Sequence, residues 1–471
     1  MAETPVTRRP RPRRDEELEV TIDSLAYGGA GVGRSEGFVV FVRGALPGDR
    51  VRARVGKSKR SYAEATVVEL LEPSPDRIEP ETPHPGAPWQ VLPYDRQLEV
   101  KQGQVVEALE RLGGFEAPPV EQIVPAVQTL RYRNKVEYSF GVAEDGRLVL
   151  GSHRAGRWDV IDELREDVLA SEGVDALRNA IGDWCRENGI PAYDRRDQSG
   201  VLRNLVIREG RRTGELQARL VTRGRDLGKR AGVEGDPGSE LAIEELAATV
   251  PAASFLWTSI ETAGETTAGG ETKAIKGEPK LYEELDLGGT RLRFGISPEA
   301  FFQTNTEMAE HLYATAAELA GLSGRQRVFD LYCGIGTIAL ALALDAREVV
   351  GVEIVEEAVA DAIANAELND IDNARFYAGD IRTAMRPLAE EEGTADVVVI
   401  DPPRAGLSQK VVRRVLEVGA PTIVYVSCNP TTLAPNARQL VDAGYELVTV
   451  RPVDMFPQTP HIESVALLRR R

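Results

Sequence analysis

At 471 residues the chain exceeds what one ordinary core holds, so roughly two to four domains are expected, and 42% hydrophobic with 28% charged residues is the balance of a globular enzyme. No apolar run is long enough for a bilayer and the Arg-rich start lacks the apolar stretch of a secretory signal, so a cytoplasmic protein with no membrane partner is expected. A net charge of −17 excludes polyanion affinity over the whole surface while leaving room for a local basic groove, and three widely spaced cysteines exclude a disulfide framework and a cysteine-built metal cage.

Residues 1–16 set Pro among Arg8, Arg9, Arg11, Arg13 and Arg14 with little apolar content, the composition of a disordered basic tail. Over residues 17–73, alternating runs (Leu18 to Ile22, Phe38 to Val42, Arg50 to Val55, Ala63 to Leu70) separated by Gly-rich turns predict a small β-barrel. Its glycine run from Tyr27 to Arg34, followed by Pro47-Gly48-Asp49-Arg50, resembles the TRAM domain, an OB-like RNA-binding barrel. On that resemblance the basic residues from Arg50 to Arg60 would face nucleic acid.

Residues 73–93 hold seven prolines, so 74–93 reads as a linker. Tyr94 to Gly113 then repeats Leu98, Val105, Leu109 and Leu112 at helical spacing, opening a segment that runs to residue 125. Residues 126–299 mix strands near 136–142, 147–150, 202–208 and 216–222 with helices near 166–189 and 240–249, an α+β domain of their own. A second basic zone lies here, with Arg203, Arg208, Arg211, Arg212, Arg219, Arg223, Arg225, Lys229 and Arg230; segments 231–240 and 261–279 read as exposed loops. Residues 300–471 alternate strands and helices in βαβ rhythm, which predicts a doubly wound Rossmann-like sheet, so the fold class is α/β with an N-terminal barrel and a central α+β domain.

The chemistry concentrates in this last part. The strand Arg327 to Leu331 runs into Tyr332-Cys333-Gly334-Ile335-Gly336-Thr337 and an apolar helix, a turn through which a ligand approaches backbone. The third glycine of a dinucleotide turn is missing and the turn begins with Asp330, which suits a cofactor with a cationic amino-acid part and no phosphates. Glu353, at the end of the next strand, is placed for ribose hydroxyls; together these favour S-adenosylmethionine over NAD. Asp380, after the following strand, can meet an adenine amino group. Asp401-Pro402-Pro403-Arg404 ends the strand after that, and a cation at its fourth place suits a phosphate or a developing enolate.

Ile423 to Ser427 reads as a buried strand that stops at Cys428, a thiol at a strand's carboxyl end, either a small core residue or a nucleophile. Glu463 is the only acid after Asp454 and shares a strand face with His461. Carbon 5 of uracil is a poor nucleophile, but a thiolate added to carbon 6 creates an enolate that attacks an electrophilic methyl. A base then removes the carbon 5 proton. Cys428, Glu463 and a methyl donor are the three parts required.

In order along the chain, Tyr132-Arg133-Asn134-Lys135, Gly151-Ser152-His153-Arg154, Phe301 to Asn305, the Asp330 to Thr337 turn, Asp401 to Arg404, Ser427 to Pro430 and His461 to Glu463 resemble the RNA uracil-C5 methyltransferase family, whose members make 5-methyluridine in tRNA or 23S rRNA. That resemblance implies Cys428 as nucleophile and Glu463 as base, with Gln303, Tyr332, Glu353, Asp380 and Asp401 contacting S-adenosylmethionine. Thr337 stands where some members carry a cofactor-contacting Asn. The helix from Tyr94 would pack on the catalytic domain, the Arg133 to Lys135 run would hold RNA phosphates, and Phe302 and Tyr425 would stack on a base. A monomer is expected. Many members hold an iron–sulfur cluster on four cysteines, three of them just ahead of this helix; Pro83 to Trp89 stand there instead, so no cluster and no metal is expected. Two other functions remain open on the residues alone: a nitrogen-directed RNA methyltransferase, or an RNA-binding protein with a vestigial methyltransferase domain.

Overall fold

Residues 11–154, 156–228, 238–262, 264 and 266–471 are described by a computed structural model. Strands β1 (Glu17–Leu25), β2 (Gly31–Ser35), β3 (Phe38–Arg43), β4 (Arg50–Ser58) and β5 (Tyr62–Glu72) close a barrel in the order β1-β2-β3-β5-β4. Alternation sends Val20, Ile22, Val40, Val42, Val51, Ala53, Val55 and Ala63 inward. A Cβ at Gly33 would lie 2.3 Å from the Thr21 carbonyl oxygen, so the glycine run lets β1 and β2 cross closely.

Outside the barrel Arg50 binds Glu19 and Glu72, Arg52 binds Glu69 and Arg54 binds Glu17. The predicted basic face is therefore a ladder of exposed ion pairs, each contributing about 0–1 kcal/mol, whose carboxylates a polyanion can replace. Of the predicted tail, residues 1–10 lie outside the described residues. Residues 11–16 run beside β4, with Asp15 N–H donating to the Val55 carbonyl and Val55 N–H to that of Glu16.

The linker is stapled down. Trp89 is buried and its N–H donates to the Gln458 carbonyl at 2.9 Å. Helix α1 (Tyr94–Arg111) follows, and it packs on the helix Pro430–Asp442. Its stripe buries Val105 and Leu109, whereas Leu112 caps the helix end and is exposed. Lys101 lies over the Trp89 ring and pairs with Asp454 at 2.5 Å, both side chains wholly buried. Removing one partner of such a pair costs about 3–5 kcal/mol, because the other charge is left dry.

The central domain forms a seven-stranded sheet from β6 (Lys135–Val142), β7 (Leu148–Arg154), β8 (Arg157–Glu163), β9 (Leu202–Glu209), β10 (Leu216–Thr222), β11 (Ser254–Ser259) and β12 (Glu271–Lys276), ordered β12-β11-β10-β9-β6-β7-β8. Helices α2 (Glu172–Glu187) and α3 (Ser239–Thr249) cover one face through a core that includes Tyr138, Leu205, Ile207, Leu220 and Phe255. α2 starts later than the predicted residue 166 because the Ser171 side chain caps it by accepting from Val174 N–H. The predicted loop 261–279 contains β12, the sheet edge. The predicted loop 231–240 lies outside the described residues up to 237, and its end opens α3.

Of the second basic zone, Lys229 and Arg230 lie outside the described residues, and several of the others are not on a solvated face. Arg203, Arg208 and Arg219 are buried; Arg203 and Arg208 donate to main-chain carbonyls, and Arg219 pairs with Glu299. Arg211 and Arg212 pair with Glu307 and Glu310.

A hairpin of β13 (Leu281–Leu287) and β14 (Thr290–Ile296) leads into the catalytic domain. There α4 (Thr306–Ala320), β15 (Arg327–Leu331), α5 (Thr337–Ala343), β16 (Glu348–Glu353), α6 (Glu356–Leu368), β17 (Ala374–Ala378), α7 (Ile381–Glu392), β18 (Val397–Ile400), α8 (Gln409–Val418), β19 (Thr422–Ser427), α9 (Pro430–Asp442), β20 (Tyr445–Val453) and β21 (Glu463–Arg470) build a sheet ordered β17-β16-β15-β18-β19-β21-β20. β15 to β19 pair in parallel, and β21 enters antiparallel between β19 and β20. Among the described residues no helix is long and apolar enough to cross a membrane.

Candidate active site

The last pair between β19 and β21 is Ser427 with Ser464. Cys428 directly follows Ser427 and Glu463 directly precedes Ser464, so the register brings the thiol and the carboxyl to the same end of the sheet, where the thiol lies in the field of Glu463. The turn after Cys428 is held from two sides: Asn429 accepts from Thr431 N–H at 3.0 Å and donates through Nδ2 to the Arg404 carbonyl at 2.9 Å. Asp401 to Arg404 and Ser427 to Pro430 thus form one unit.

Burial pushes the Cys428 thiol up to about 11, with the negative fields of Glu463 and Asp401 adding and Arg404 opposing. Burial, then Asp401, pushes the Glu463 carboxyl well above the usual carboxylate range, again against Arg404. Burial raises Asp401 to about 7. Three acidic groups crowd one buried site beside one cation, an arrangement that disfavours negative charge on each of them. His461 goes the other way: burial and the cations Arg404, Arg133 and Lys101 lower it to about 4, so its ring is neutral, edge-on to Phe456.

In the turn after β15, Tyr332 takes φ +67°, a left-handed conformation that an L side chain adopts only under constraint, and its N–H donates to the Val352 carbonyl at 2.9 Å. Glu353 accepts from the N–H groups of Gly334, Ile354 and Val355, which fixes it at the mouth of this turn. Asp380 caps α7 by accepting from Arg382 N–H, and the Arg382 guanidinium beside it lowers its pKa. Tyr332 lies in the fields of Asp380, Arg382 and Glu353, which makes these a second cluster. Asp330 joins the two: it is fully buried, neither carboxylate oxygen has a hydrogen-bond partner among the described residues, and burial followed by Asp401 and Glu353 raises its pKa.

Gln303 enters from elsewhere, in the loop ahead of α4. Its carbonyl accepts from Asn134 Nδ2 at 2.9 Å, and the Asn134 N–H donates to the Thr304 carbonyl. The Tyr132 to Lys135 motif therefore seats the Phe301 to Asn305 motif. Tyr132 also donates to the Pro457 carbonyl at 3.1 Å, in the segment that leads to Glu463.

A family model described as tRNA (Uracil-5-)-methyltransferase matches residues 267–471, and a TRAM domain model matches residues 13–68. An RNA methyltransferase of Halalkalibacterium halodurans is 38% identical over 460 residues, spanning 97% of this chain and 97% of that one. The chain belongs to the RNA uracil-C5 methyltransferase family. A further RNA methyltransferase, from Gloeobacter violaceus, is 38% identical over 458 residues, covering 96% of each chain. Among solved structures, the Pyrococcus abyssi tRNA (uracil-54, C5)-methyltransferase in complex with S-adenosyl-L-homocysteine superposes with a TM-score of 0.74 at 28% identity, over 96% of this chain and all of that one.

Within this uracil-C5 methyltransferase two expected stacking residues belong to the core instead. Phe302 packs beside Phe294, and Tyr425 is wholly buried with its hydroxyl on the Asn436 side chain. The exposed ring of the pair at 301–302 is Phe301.

One residue of the site escaped the sequence reading: Tyr27 of the barrel donates its phenol to the main-chain carbonyl of Cys428 at 3.0 Å. The next two residues, Gly28 and Gly29, have φ near +90° and +85°, and a Cβ at Gly29 would lie 3.0 Å from Pro460 and 3.2 Å from Trp89 Nε1. This tight turn wedges the barrel between the nucleophile turn and the segment before Glu463. Tyr27→Phe keeps the ring and removes one hydrogen bond, so the expected result is a roughly fivefold lower rate of transfer, from about 1 kcal/mol of lost positioning. RNA affinity and melting temperature should stay near wild type. A wild-type rate in single-turnover assays would remove Tyr27 from the site.

Proposed function

We propose that this methyltransferase places the methyl of S-adenosylmethionine on carbon 5 of a uridine in tRNA or 23S rRNA, through a covalent bond between Cys428 Sγ and uracil carbon 6. The observation that supports it most is that the Ser427–Ser464 pairing of adjacent strands brings Cys428 and Glu463 to one end of the sheet, beside Asp401 and Arg404.

The residues fit the cofactor. Asp330 is a buried carboxyl with both oxygens unpartnered, suited to a cationic amino-acid group, and Glu353 and Asp380 flank the same turn as hydroxyl and amino acceptors. We assign Tyr332, Asp401 and Gln303 to the same cofactor on the family resemblance. When bound, S-adenosylmethionine supplies an electrophilic methyl group.

The chain's own residues do the rest. Cys428 loses its proton to solvent water, the thiolate bonds to carbon 6, and the electrons of the carbon 5–carbon 6 double bond move to carbon 5 and the carbonyl oxygen at carbon 4. Arg404, the cation beside both Cys428 and Glu463, favours the thiolate and the enolate. After carbon 5 carries the methyl, Glu463 takes the proton from that carbon, the double bond re-forms, and the thiolate leaves. No iron–sulfur cluster enters this scheme: Cys333 lies in the cofactor turn, Cys428 is the nucleophile, and Cys185 is buried alone on α2. Trp89, Lys101 and Asp454 pack beside the loop where relatives carry cluster cysteines.

Because the thiol titrates near 11 and only the thiolate adds to the ring, adduct formation with 5-fluorouridine RNA should rise about tenfold per pH unit between pH 7 and 9. A flat profile would mean that a different step or group limits the rate. For the substrate, 5-methyluridine is mapped in tRNA and rRNA from a strain lacking the gene. Loss at one uridine, with uridine 54 of tRNA the first to inspect after the Pyrococcus abyssi relative, is expected; unchanged maps in both RNAs would reject the proposal.

A further inference from the structure

The Gly151 to Arg154 motif takes no part in the chemistry above. It lies on β7, and His153 faces a pocket of about 170 Å³ bounded by β6, β8, β9 and the turn at 192–196. Strand alternation puts this pocket on the sheet face away from α2 and α3, because Ser139 and Asn204 point opposite to the buried Tyr138 and Leu205. Its volume equals about six waters at ~30 Å³ each, room for one flat heterocycle.

The lining suits a nucleotide. Trp158 stands at the rim with 58% of its surface exposed, and the Arg195 guanidinium lies 6.0 Å from its ring. Tyr193 sits between Arg203 and Arg223, at 5.4 and 5.3 Å, and its hydroxyl is buried without a hydrogen-bond partner among the described residues. On the floor, Ser139 Oγ lies 3.2 Å from His153 Nε2 and accepts from Asn204 Nδ2 at 3.1 Å, a row of donors and acceptors able to read a base edge. Of the nearby acids, Asp159 is taken up by Arg157 and Arg196, and Asp194 accepts from the Arg196 N–H. Gly151 makes the geometry possible, since a Cβ there would overlap the Asp162 carbonyl at 1.9 Å and push β8 away.

The pocket also has an address. β6 begins directly after Arg133 and Asn134, which border the catalytic centre, and reaches the pocket at Ser139, about 20 Å further along the strand. A few nucleotides span that length. We infer that this pocket receives one unpaired nucleotide of the RNA substrate close to the methylated uridine, its base stacked on Trp158 and read by the Ser139, His153 and Asn204 row, with its phosphate beside Arg195 and Arg196. This rests on the RNA-methyltransferase reading; stacking on exposed aromatics with guanidinium support is how proteins hold unpaired bases.

The test uses the full chain, with tRNA and 23S rRNA from a strain lacking the gene as probes. Trp158→Ala should weaken binding of the modified RNA class about tenfold, as loss of one stacked base does, and Arg196→Ala should weaken it severalfold. S-adenosylmethionine affinity and melting temperature should hold, since Trp158 is exposed. Ultraviolet crosslinking of the wild type should label peptides carrying Trp158 or Tyr193. Wild-type RNA affinity in both variants, or crosslinks confined to the barrel, would overturn the pocket. If the wild type crosslinks here yet transfers no methyl to any uridine, the proposed function fails and the pocket stands.

Discussion

Cys428→Ala abolishes methyl transfer, with a fall on the order of 10⁴-fold or more, as losses of covalent nucleophiles do. The variant keeps its fold, because Cys428 lies half-buried in a turn fixed by Asn429 and not by its own sulfur. It also keeps its affinity for RNA and S-adenosylmethionine. The decisive measurement is trapping on 5-fluorouridine RNA: wild type yields a complex that survives denaturing electrophoresis, and the variant yields none. Transfer persisting in the variant would mean that the methyl goes to a nucleophile needing no activation, such as a ring or exocyclic nitrogen.

Glu463→Gln separates the two halves of the reaction. Methyl transfer requires only the adduct, whereas release requires a base for the carbon 5 proton. The variant is therefore expected to methylate once and stop, accumulating labelled methyl on protein-linked RNA of natural sequence, with turnover reduced about 10²- to 10⁴-fold. Stability should hardly change. Glu463 is buried and its surroundings disfavour the charged form, so a neutral amide of the same shape is accommodated there. Loss of the adduct itself, instead of its accumulation, would assign Glu463 to activation of the thiol. Turnover at the wild-type rate would remove it from the mechanism.

Much of the catalytic domain was legible in the sequence because its signals are local. Strand-ending turns carry Gly, Pro and Asp at fixed offsets, and Asp330 to Thr337, Asp401 to Arg404 and Ser427 to Pro430 each sit where a strand hands over to a helix. Two helices escaped notice for a local reason as well. α7 and α9 contain Pro387 and Pro435, which read as breakers, although Pro430 at the start of α9 suits a first turn capped by Asn429. What sequence alone hides is which face of a strand is covered. Arg203, Arg208 and Arg219 look like a basic surface until carbonyls and Glu299 are seen to receive them. Phe302 and Tyr425 look available to a base until the helices close over them. The Tyr27 contact joins residues 401 positions apart, and nothing in either segment announces the other.

The wedge formed by Tyr27 and Gly29 also sets how such an enzyme is able to change over evolutionary time. On the proposed function, substitutions on the outer ladder of β4 would be screened by RNA affinity alone, whereas changes at 26–30, in the turn that holds the Cys428 main chain, would be screened by turnover too. A barrel acquired for a new RNA must therefore arrive with this turn already fitted to the catalytic domain, so target preference and reactivity are inherited as one piece.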